Sequence, residues 1–396
     1  MLKSFSVENF KSFYKKQEIS FEPNKETNLK DINISNNNIL KGLALFGENG
    51  GGKTALIEAF HYFLNELIGD EKLGYSTKYF IMNDKIKETI NFSSVFQFDG
   101  DIIEVSFSIA GKSKLDPIGY KKKISKEIFK INGKEFNRSS WIKDYSNLPE
   151  DLLLIRFLYS SKYFTSIEQK ILDKFYAFLG NSIIYSCDKK RISGFNKSIS
   201  FSIDNLLEGS FLSNKKNVEK INSFLNKNYP LFTLELVDFE LSGENKSKIY
   251  FLLVDYEKNN KKYRLPFRYE SNGNIDLITI IQFFIYLEDN NGIIFVDEFN
   301  STFHSELSKM LVTAFMETHK KSQFIFVSQD TNVMSSDILR ADQICFVNRN
   351  SDYETEIEKL SDFKTRPTQN YQKMYRSSVV SKLPSFLKVY NKQENK

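Results

Sequence analysis

Short runs of apolar residues, each bounded by polar turns, recur in this sequence. Four of them predict core strands at 43–46, 293–296, 324–327 and 343–347. Runs with few or no polar positions are typical of strands that are buried on both faces. Amphipathic helical patterns follow at about 55–69 and 302–318, and a strongly apolar helix is predicted at 276–287. The pattern therefore predicts an α/β fold with a mixed, mostly parallel core sheet that helices cover on both faces.

Alternation of apolar and polar residues indicates a second kind of sheet. It is present at 1–22, 90–109 and 127–131, and it returns at 232–239, 249–255 and 263–267. A period of two predicts strands with one buried face, and the turn pairs Asp99-Gly100, Asn132-Gly133 and Asn259-Asn260 favour hairpins. We therefore expect an antiparallel β subdomain after the helix at 55–69.

The segment between these regions is mostly helical in pattern. In the clearest helix, at 166–179, Ser166 with Gln169 resembles a capping box, and Gly180 stands where a C-terminal cap belongs. Another helix is predicted near 216–225, whereas 186–215 gives only weak signals. The predicted units are an N-terminal lobe at 1–135, a helical insertion at 136–230, a C-terminal lobe at 231–365 and a basic tail at 366–396.

A glycine-rich turn, Gly47-Glu48-Asn49-Gly50-Gly51-Gly52-Lys53-Thr54, joins the first core strand to a helical pattern. This context is typical of a phosphate-binding loop with the pattern G-x-x-x-x-G-K-[ST]. Glycines let backbone N–H groups converge on phosphate oxygens, and the helix N-terminus adds partial positive charge. We expect Lys53 to reach the outer phosphates of ATP and Thr54 to bind Mg²⁺. The alternative is a glycine-rich turn that happens to precede a helix.

A phosphate-binding loop needs an acidic partner for the metal at the end of a neighbouring strand. Asp297 and Glu298 directly follow the core strand at 293–296. We expect Asp297 to hold Mg²⁺, directly or through water, and Glu298 to activate the water that attacks the γ-phosphate. An ordinary acidic turn after a core strand is the alternative. The long interval between Lys53 and Asp297 is unlike that of compact GTPases.

Composition narrows the class of protein without identifying it. The chain has 396 residues, a hydrophobic fraction of 41% and a net charge of +5, which permits contact with nucleic acid but does not argue for it. No apolar stretch of about 18 residues and no signal-peptide pattern occurs, so we expect a cytoplasmic protein without a membrane span. The two cysteines are isolated and there are only three histidines, which disfavours zinc sites and histidine-based catalysis.

Several motifs together resemble the ABC-type ATPases of the SMC and RecF class, and within it the prokaryotic abortive-infection and OLD-like branch. The phosphate loop of that class is usually G-x-N-G-[SA]-G-K-[ST], so glycine at position 51 is a departure that we expect to loosen the loop slightly. Asn9-Phe10-Lys11-Ser12-Phe13 resembles the N-terminal NF-[KR]-SF turn, and Glu270-Ser271-Asn272-Gly273-Asn274 resembles a degenerate L-S-x-G-[EQ] signature. The segments 299–304, 342–347 and 360–366 resemble motifs of the abortive-infection branch.

The resemblance implies a site that two chains make together. ATP and Mg²⁺ would lie between two ATPase heads of an ABC type, in a homodimer or higher homo-oligomer. One chain would bind the nucleotide through Lys11, Ser12 and the loop residues Gly47, Asn49, Gly50, Gly51, Gly52, Lys53 and Thr54. The other chain would contribute Ser271 and Gly273. As the start of a helix, Ser271 is equally well explained as an ordinary N-terminal cap.

The resemblance also implies a glutamine that senses Mg²⁺ and a switch residue at the γ-phosphate. Gln97, near a predicted strand end, is the candidate metal-sensing residue, with a solvated strand residue as the alternative. The switch strand of this class normally ends in Thr-His-[ND], but here it ends in Ser328-Gln329-Asp330. Because glutamine can hydrogen-bond a phosphate but cannot carry a proton or a charge, we expect Gln329 to support only slow ATP turnover.

Three functions are compatible with these motifs. The first is an ATP-dependent sensor or scaffold that controls a separately encoded toxin or nuclease in anti-phage defence. The second is a RecF-like repair or recombination ATPase that clamps DNA, and the third is an ATP-binding module without catalysis. The chain has no Arg-x₄₋₆-His pair for a HEPN-type ribonuclease, and Asp99-Gly100-Asp101 fits a hairpin turn better than a TOPRIM metal site. The basic tail is expected to be solvated, although it could contact nucleic acid or a partner.

Overall fold

The computed structural model describes residues 1–69, 89–110, 123–144, 148–195, 201, 210–240, 248–299, 303–363 and 370–376. Within these residues, sixteen strands form three sheets. The strands are β1 (Leu2–Glu8), β2 (Gln17–Ser20), β3 (Gly42–Phe46), β4 (Thr89–Phe98), β5 (Asp101–Ala110), β6 (Lys123–Ile131), β7 (Lys134–Asn137), β8 (Ile183–Ser186), β9 (Arg191–Gly194), β10 (Thr233–Glu240), β11 (Lys248–Lys258), β12 (Lys261–Pro266), β13 (Ile293–Asp297), β14 (Gln323–Val327), β15 (Ile344–Arg349) and β16 (Thr355–Lys359). The helices are α1 (Lys30–Asn33), α2 (Lys53–Ile68), α3 (Arg138–Asp144), α4 (Leu154–Ser160), α5 (Ser166–Gly180), α6 (Lys215–Asn228), α7 (Asn272–Asp289), α8 (Ser305–Thr318) and α9 (Tyr371–Arg376).

The central sheet has seven strands in the order β16-β15-β3-β14-β13-β8-β9. Its five inner strands are parallel, and an antiparallel strand completes each edge. Every residue of β3, β13 and β14 is buried, as their apolar runs predict. Because these strands are parallel, the loops after their carboxyl ends all lie at the same end of the sheet. The candidate active site lies at that end.

Helices cover both faces of the central sheet and form two hydrophobic cores. On one face α2 packs so that Phe60 lies 4.7 Å from Phe295 of β13 between ring centroids. On the other face, α8 places Phe315 at 5.3 Å from Phe324 of β14. The side chains of β3 alternate between the first core (Leu43, Leu45) and the second core (Ala44, Phe46).

Two antiparallel sheets flank this centre. The six-stranded sheet β2-β1-β4-β5-β6-β7 packs on α2, where Phe5 of β1 stacks on Phe60 at 3.8 Å. The three-stranded sheet β10-β11-β12 packs on α6 and leads directly into α7. Asn222 of α6 bonds both backbone polar groups of Leu234 in β10, at 2.8 Å each, and thereby aligns helix and sheet. The predicted antiparallel subdomain and the predicted fold class are confirmed.

All three predicted hairpin turns are confirmed, because β4–β5, β6–β7 and β11–β12 are each joined by a two-residue turn. The cap of α5 is displaced by one position, since Thr165 and Glu168 form the capping box that we expected at Ser166 and Gln169. Strands β8 and β9 lie in the segment predicted as a helical insertion, yet they belong to the central sheet. The segment at 136–230 is thus not helical throughout. The division of the chain into four units stays a prediction.

The C-terminal tail departs from its sequence pattern. Helix α9 packs against the protein, with Tyr371 1% exposed and Met374 7% exposed. We expected a solvated tail, and for this part of the tail that expectation is wrong. The predicted motif residues 300–302 and 364–366, and the tail residues beyond 376, lie outside the described residues. No helix in the described part of the chain is long and apolar enough to cross a bilayer.

Candidate active site

The glycine-rich turn connects β3 to α2 in a conformation that depends on its glycines. Gly47, Gly50 and Gly52 have φ angles of 149°, 79° and 114°, which side-chain-bearing residues rarely adopt. Gly51 N–H donates to Glu48 O at 3.0 Å, and α2 begins at Lys53. The loop therefore places backbone N–H groups at the N-terminus of a 16-residue helix, which is an arrangement suited to phosphate.

The β15–β16 hairpin forms a wall against this loop. A Cβ atom built on Gly47 would lie 2.1 Å from Val347 O, and one on Gly51 would lie 2.4 Å from the same oxygen. A Cβ atom on Gly52 would lie 2.3 Å from Thr355 Oγ1. The expectation that glycine at position 51 loosens the loop stays a prediction, but the hairpin backbone leaves no space for a side chain there. Glycine is what permits the close approach.

Thr355 joins the hairpin, the phosphate loop and the N-terminal turn. Its Oγ1 lies 2.9 Å from Gly51 O and 2.7 Å from Ser12 Oγ, and its N–H donates to Ser12 O at 2.7 Å. Lys11, with φ of 50°, forms an ion pair with Glu58 of α2. The Lys11-Ser12 turn thus lies beside the loop, as the resemblance implied. Sequence inspection missed Thr355, since it lies in a short polar strand some 300 positions away.

Lys53 is almost buried and is held by its own loop. Its side chain is 6% exposed, and Nζ donates to Gly47 O at 2.8 Å and to Glu48 O at 2.9 Å. Burial lowers the pKa of Lys53, while the carboxylates of Glu298 and Asp297 act to raise it. A buried lysine in a glycine-rich loop at a helix N-terminus favours an anion such as a polyphosphate.

Thr54 and Asp297 come together from α2 and β13. Thr54 Oγ1 donates to Asp297 Oδ2 at 3.1 Å, whereas Asp297 Oδ1 is buried without a hydrogen-bond partner. Burial raises the pKa of Asp297. An alcohol and a carboxylate oxygen that lacks a partner fit Mg²⁺, which commonly takes one or two protein oxygens and completes its shell with phosphates and water. Thr54 and Asp297 would hold the ion, and it would neutralise phosphate charge. No cluster of three acidic, His or Cys side chains suited to a metal occurs among the described residues.

Glu298 and Gln329 face each other across the ends of β13 and β14. Gln329 Nε2 donates to Glu298 Oε2 at 3.0 Å and to Oε1 at 3.3 Å. Glu298 has a φ of 54°, and the following residue, Phe299, donates its N–H to Val327 O at 2.9 Å. Burial, and then the neighbouring Asp297, raise the pKa of Glu298, while the bond from Gln329 lowers it. The two predicted catalytic side chains therefore lie in direct contact.

The candidate signature segment lies at the start of α7. Ser271 is the N-cap residue, and its Oγ accepts from Asn274 N–H at 3.3 Å. Glu270 accepts from Tyr256 Oη at 2.8 Å and from Asn274 Nδ2 at 2.7 Å, so these hydrogen bonds fix the segment to β11 and to the first turn of α7. Among the described residues, no hydrogen bond connects Ser271 or Gly273 with the phosphate loop of the same chain. Ser271 is exposed.

One predicted metal residue lies elsewhere. Gln97 is at the end of β4, where its backbone oxygen accepts from the Met1 ammonium at 2.6 Å. It lines a cavity of about 300 Å³ together with Asn291 and Lys321, which precede β13 and β14. A five-residue strand spans about 16 Å, so this cavity, beside the amino ends of β13 and β14, lies at the opposite end of the central sheet from Asp297. Gln97 cannot contact a metal held by Thr54 and Asp297 of its own chain.

The strand next to β13 supplies residues that sequence inspection missed. Ser186 of β8 pairs with Asp297, and Cys187 N–H donates to Asp297 O at 3.1 Å. The following residue, Asp188, is hydrogen-bonded to Ser186 and contributes to the raised pKa values of Asp297 and Glu298. The only signal in the sequence was a short apolar stretch before Asp188, and the polar residues around it concealed the strand.

Two comparisons with known proteins agree with this geometry. A family model described as "AAA domain, putative AbiEii toxin, Type IV TA system" matches residues 43–335. A solved SMC head bound to the C-winged helix domain of ScpA has 15% sequence identity and a TM-score of 0.50, covering 90% of this chain and 97% of that one. The SMC head domain from Thermotoga maritima has 14% identity and a TM-score of 0.48, covering 90% and 98%. A search of curated proteins found no match.

The site and the matched family define a P-loop ATPase, and its fold is like that of an SMC head. Because the family model covers most of the sequence, the chain belongs to the family of AAA domains described as AbiEii-toxin type. At 15% identity, the likeness to the SMC head shows a shared fold.

Proposed function

We propose that this chain binds ATP with Mg²⁺ and hydrolyses it slowly. The observation that carries the proposal is the contact between Glu298 and Gln329 beside the Thr54–Asp297 pair. Lys53 and the loop N–H groups would bind the phosphates, and Thr54 with Asp297 would hold the metal. Glu298, whose pKa is raised by burial, would accept a proton from the attacking water.

Slow turnover follows from the chemistry of Gln329. An amide can donate a hydrogen bond to a phosphate or to Glu298, but it cannot change its charge during the reaction. A histidine at this position could carry the positive charge that balances charge developing in the transition state. The chain would therefore hold ATP for long periods, and the bound state itself could act as a signal.

We further propose that ATP joins two copies of the chain. Ser271 and Gly273 lie at the start of the 18-residue helix α7, whose N-terminus favours an anion, and Ser271 is exposed. In a homodimer or higher homo-oligomer these residues of one copy would contact the ATP held by the other. ATP binding would close the pair of heads, and hydrolysis would release it.

The biological role that we favour is control of a separate effector in anti-phage defence, in the cytoplasm. The description of the family as AbiEii-toxin type in a toxin–antitoxin system supports this role. The ATP-bound oligomer would hold an inactive toxin or nuclease, and loss of that state would release it. A reading frame for a nuclease or toxin next to this gene would support the proposal.

A RecF-like DNA ATPase is the second candidate, and the SMC-like fold favours it, while the net charge of +5 permits contact with DNA. A chain that clamps DNA would hydrolyse ATP faster when DNA is added. That stimulation would fall steeply with salt, because each phosphate contact releases counterions. An effector-controlling scaffold would show no such dependence.

The test of the catalytic proposal is Glu298→Gln, with Glu104→Gln as a control for the lost charge. Glu104 is exposed on β5, away from the site. We expect Glu298→Gln to lose about 10²–10⁴-fold in phosphate release while it retains ATP and accumulates as a dimer in size-exclusion chromatography. Glu104→Gln should behave as wild type. Unchanged phosphate release by Glu298→Gln, or failure of that variant to retain ATP, would contradict the proposed role.

A further inference from the structure

The segment after the switch residue is held at three points. Gln329 is followed by Asp330, whose Oδ1 accepts from Asn332 N–H at 2.9 Å and so caps a short turn at Thr331–Val333. Asn332 Nδ2 donates to Ser305 Oγ of α8 at 3.0 Å. The third point of attachment comes from the C-terminal helix α9, which the sequence pattern had placed in a solvated tail.

Gln372 is the residue of α9 that reaches this turn. Its Nε2 donates to Thr331 Oγ1 and to Asn332 Oδ1, at 2.9 Å each. A single side-chain amide therefore bonds two consecutive residues of the turn that begins directly after Gln329 and Asp330. Since Gln329 in turn bonds Glu298, α9 is two hydrogen-bonded steps from the proposed general base.

The rest of α9 is anchored next to the phosphate loop. Tyr375 stacks on Phe346 of β15, with ring centroids 5.3 Å apart and planes inclined by 12°. Phe346 pairs with Phe46, the residue that precedes Gly47. Burial raises the pKa of Tyr375, and the carboxylate of Glu48 in the loop raises it further. Helix α9 thus contacts the loop side of the site through Tyr375 and the switch side through Gln372.

We propose that Gln372 is a positioning residue for the catalytic pair: it fixes the Thr331–Val333 turn and thereby holds Gln329 against Glu298. This inference rests on the proposed ATPase function and adds the C-terminal segment to its control. A change at α9, such as a partner that binds the tail, would alter the alignment of Gln329 without touching the nucleotide.

The test compares Gln372→Met with Lys373→Met. Methionine at 372 keeps the length of the side chain but removes both hydrogen bonds, whereas Lys373 is exposed on the same helix and serves as the matched control. We expect Gln372→Met to lower kcat about 3- to 10-fold with KM for ATP unchanged. Gln372→Lys, which restores a donor group, should recover part of the rate. Lys373→Met should match wild type.

Hydrogen–deuterium exchange separates this inference from the proposed function. Backbone amides at 328–333 should exchange faster in Gln372→Met than in wild type or Lys373→Met, with the melting temperature of all three within a few degrees. This readout does not require hydrolysis, so a wild-type chain without ATPase activity would overturn the proposed function but not the attachment of the turn. Equal exchange in the two methionine variants would overturn the inference, as would equal kcat values in an active enzyme.

Discussion

The phosphate loop is held by backbone packing, whereas the signature segment at Ser271 is held by side-chain hydrogen bonds. On the loop side, the hairpin backbone at Val347 approaches two glycines so closely that no Cβ atom fits. On the signature side, Glu270 and Asn274 brace the start of α7, and the helix is anchored deeper by Asp276. Asp276 is fully buried and accepts from Tyr185 Oη at 2.5 Å and from Lys190 Nζ at 2.6 Å.

The two sides differ in completeness as well as in construction. The loop side brings the proposed phosphate, metal and catalytic groups together within one chain. The signature side is held by hydrogen bonds and Ser271 is exposed, but within the described residues the segment makes no hydrogen bond to the loop of its own chain. A firmly braced helix start without a target in its own chain is what a surface that serves a second copy requires. The difference is therefore an argument for a shared site.

The largest expected effect comes from mixing two inactive variants. Lys53→Ala should fail to bind ATP, and Ser271→Arg should block the shared face with a bulky side chain. A mixed dimer still contains one intact site, made of the loop of the Ser271→Arg chain and the signature of the Lys53→Ala chain. We expect phosphate release to return to about a quarter of the wild-type rate in an equal mixture, since about half of the dimers are mixed.

The control for this mixture is Lys53→Ala combined with a chain that carries both substitutions, which should stay inactive. Differently tagged chains would show whether mixed dimers form. Mixed dimers without recovered phosphate release would mean that Ser271 does not act across the interface, and the two sides of the site would then belong to one chain.

Gly51→Ser tests the packing of the loop side. The resemblance suggests that serine is acceptable at this position, whereas the 2.4 Å separation between a built Cβ and Val347 O indicates that it is not. Overpacking of this kind costs about 1–3 kcal/mol, so ATP affinity measured by calorimetry should fall at least about fivefold. Gly133→Asn in the β6–β7 turn, which is not part of the proposed site, is the control, since its Cβ has nothing within 4 Å and asparagine tolerates a positive φ. Equal affinities of both variants would contradict the close-packed wall.

Lys190→Met tests the anchoring of the signature side and should have the smallest effect on ATP binding. The substitution leaves Asp276 buried without its cation, and because the Lys190 side chain is 36% exposed we expect a loss of about 1–3 kcal/mol in the free energy of unfolding. Lys220→Met removes a comparable but exposed pair with Asp289 and should change stability by less than about 1 kcal/mol. Similar urea midpoints for both variants would show that the buried pair does not anchor α7.

Local sequence was sufficient to predict those parts of the fold and site that are built from consecutive residues. The acidic pair Asp297-Glu298 follows an apolar run, and the glycines precede a helix, so both could be placed at strand ends. The hairpin turns were equally clear because two positions with positive φ favour asparagine, aspartate and glycine. The fold class followed from the same patterns.

Residues that act across the sheet could not be placed in this way. Gln97 was assigned to the metal because it lies near a strand end. A sequence does not show whether that strand end lies on the same side of the molecule as the phosphate loop. Thr355 lies in a short strand with polar residues, and only its contact with Gly51 reveals its role. Gln372 lies in a segment with little apolar character, so its helix was not expected to pack at all.

The position of β3 has a consequence for synthesis of the chain. Its two neighbours in the sheet are β14 and β15, with register pairs Phe324 to Gly42 and Ile344 to Ala44. Gln323 also bonds the backbone of Leu2, across 321 positions. A growing chain on the ribosome therefore exposes the glycine-rich loop long before its walls exist, and pairings at such separation form slowly. Nascent or truncated chains that lack β14, β15 and β16 should not retain ATP, so nucleotide would be captured only after these strands have been translated.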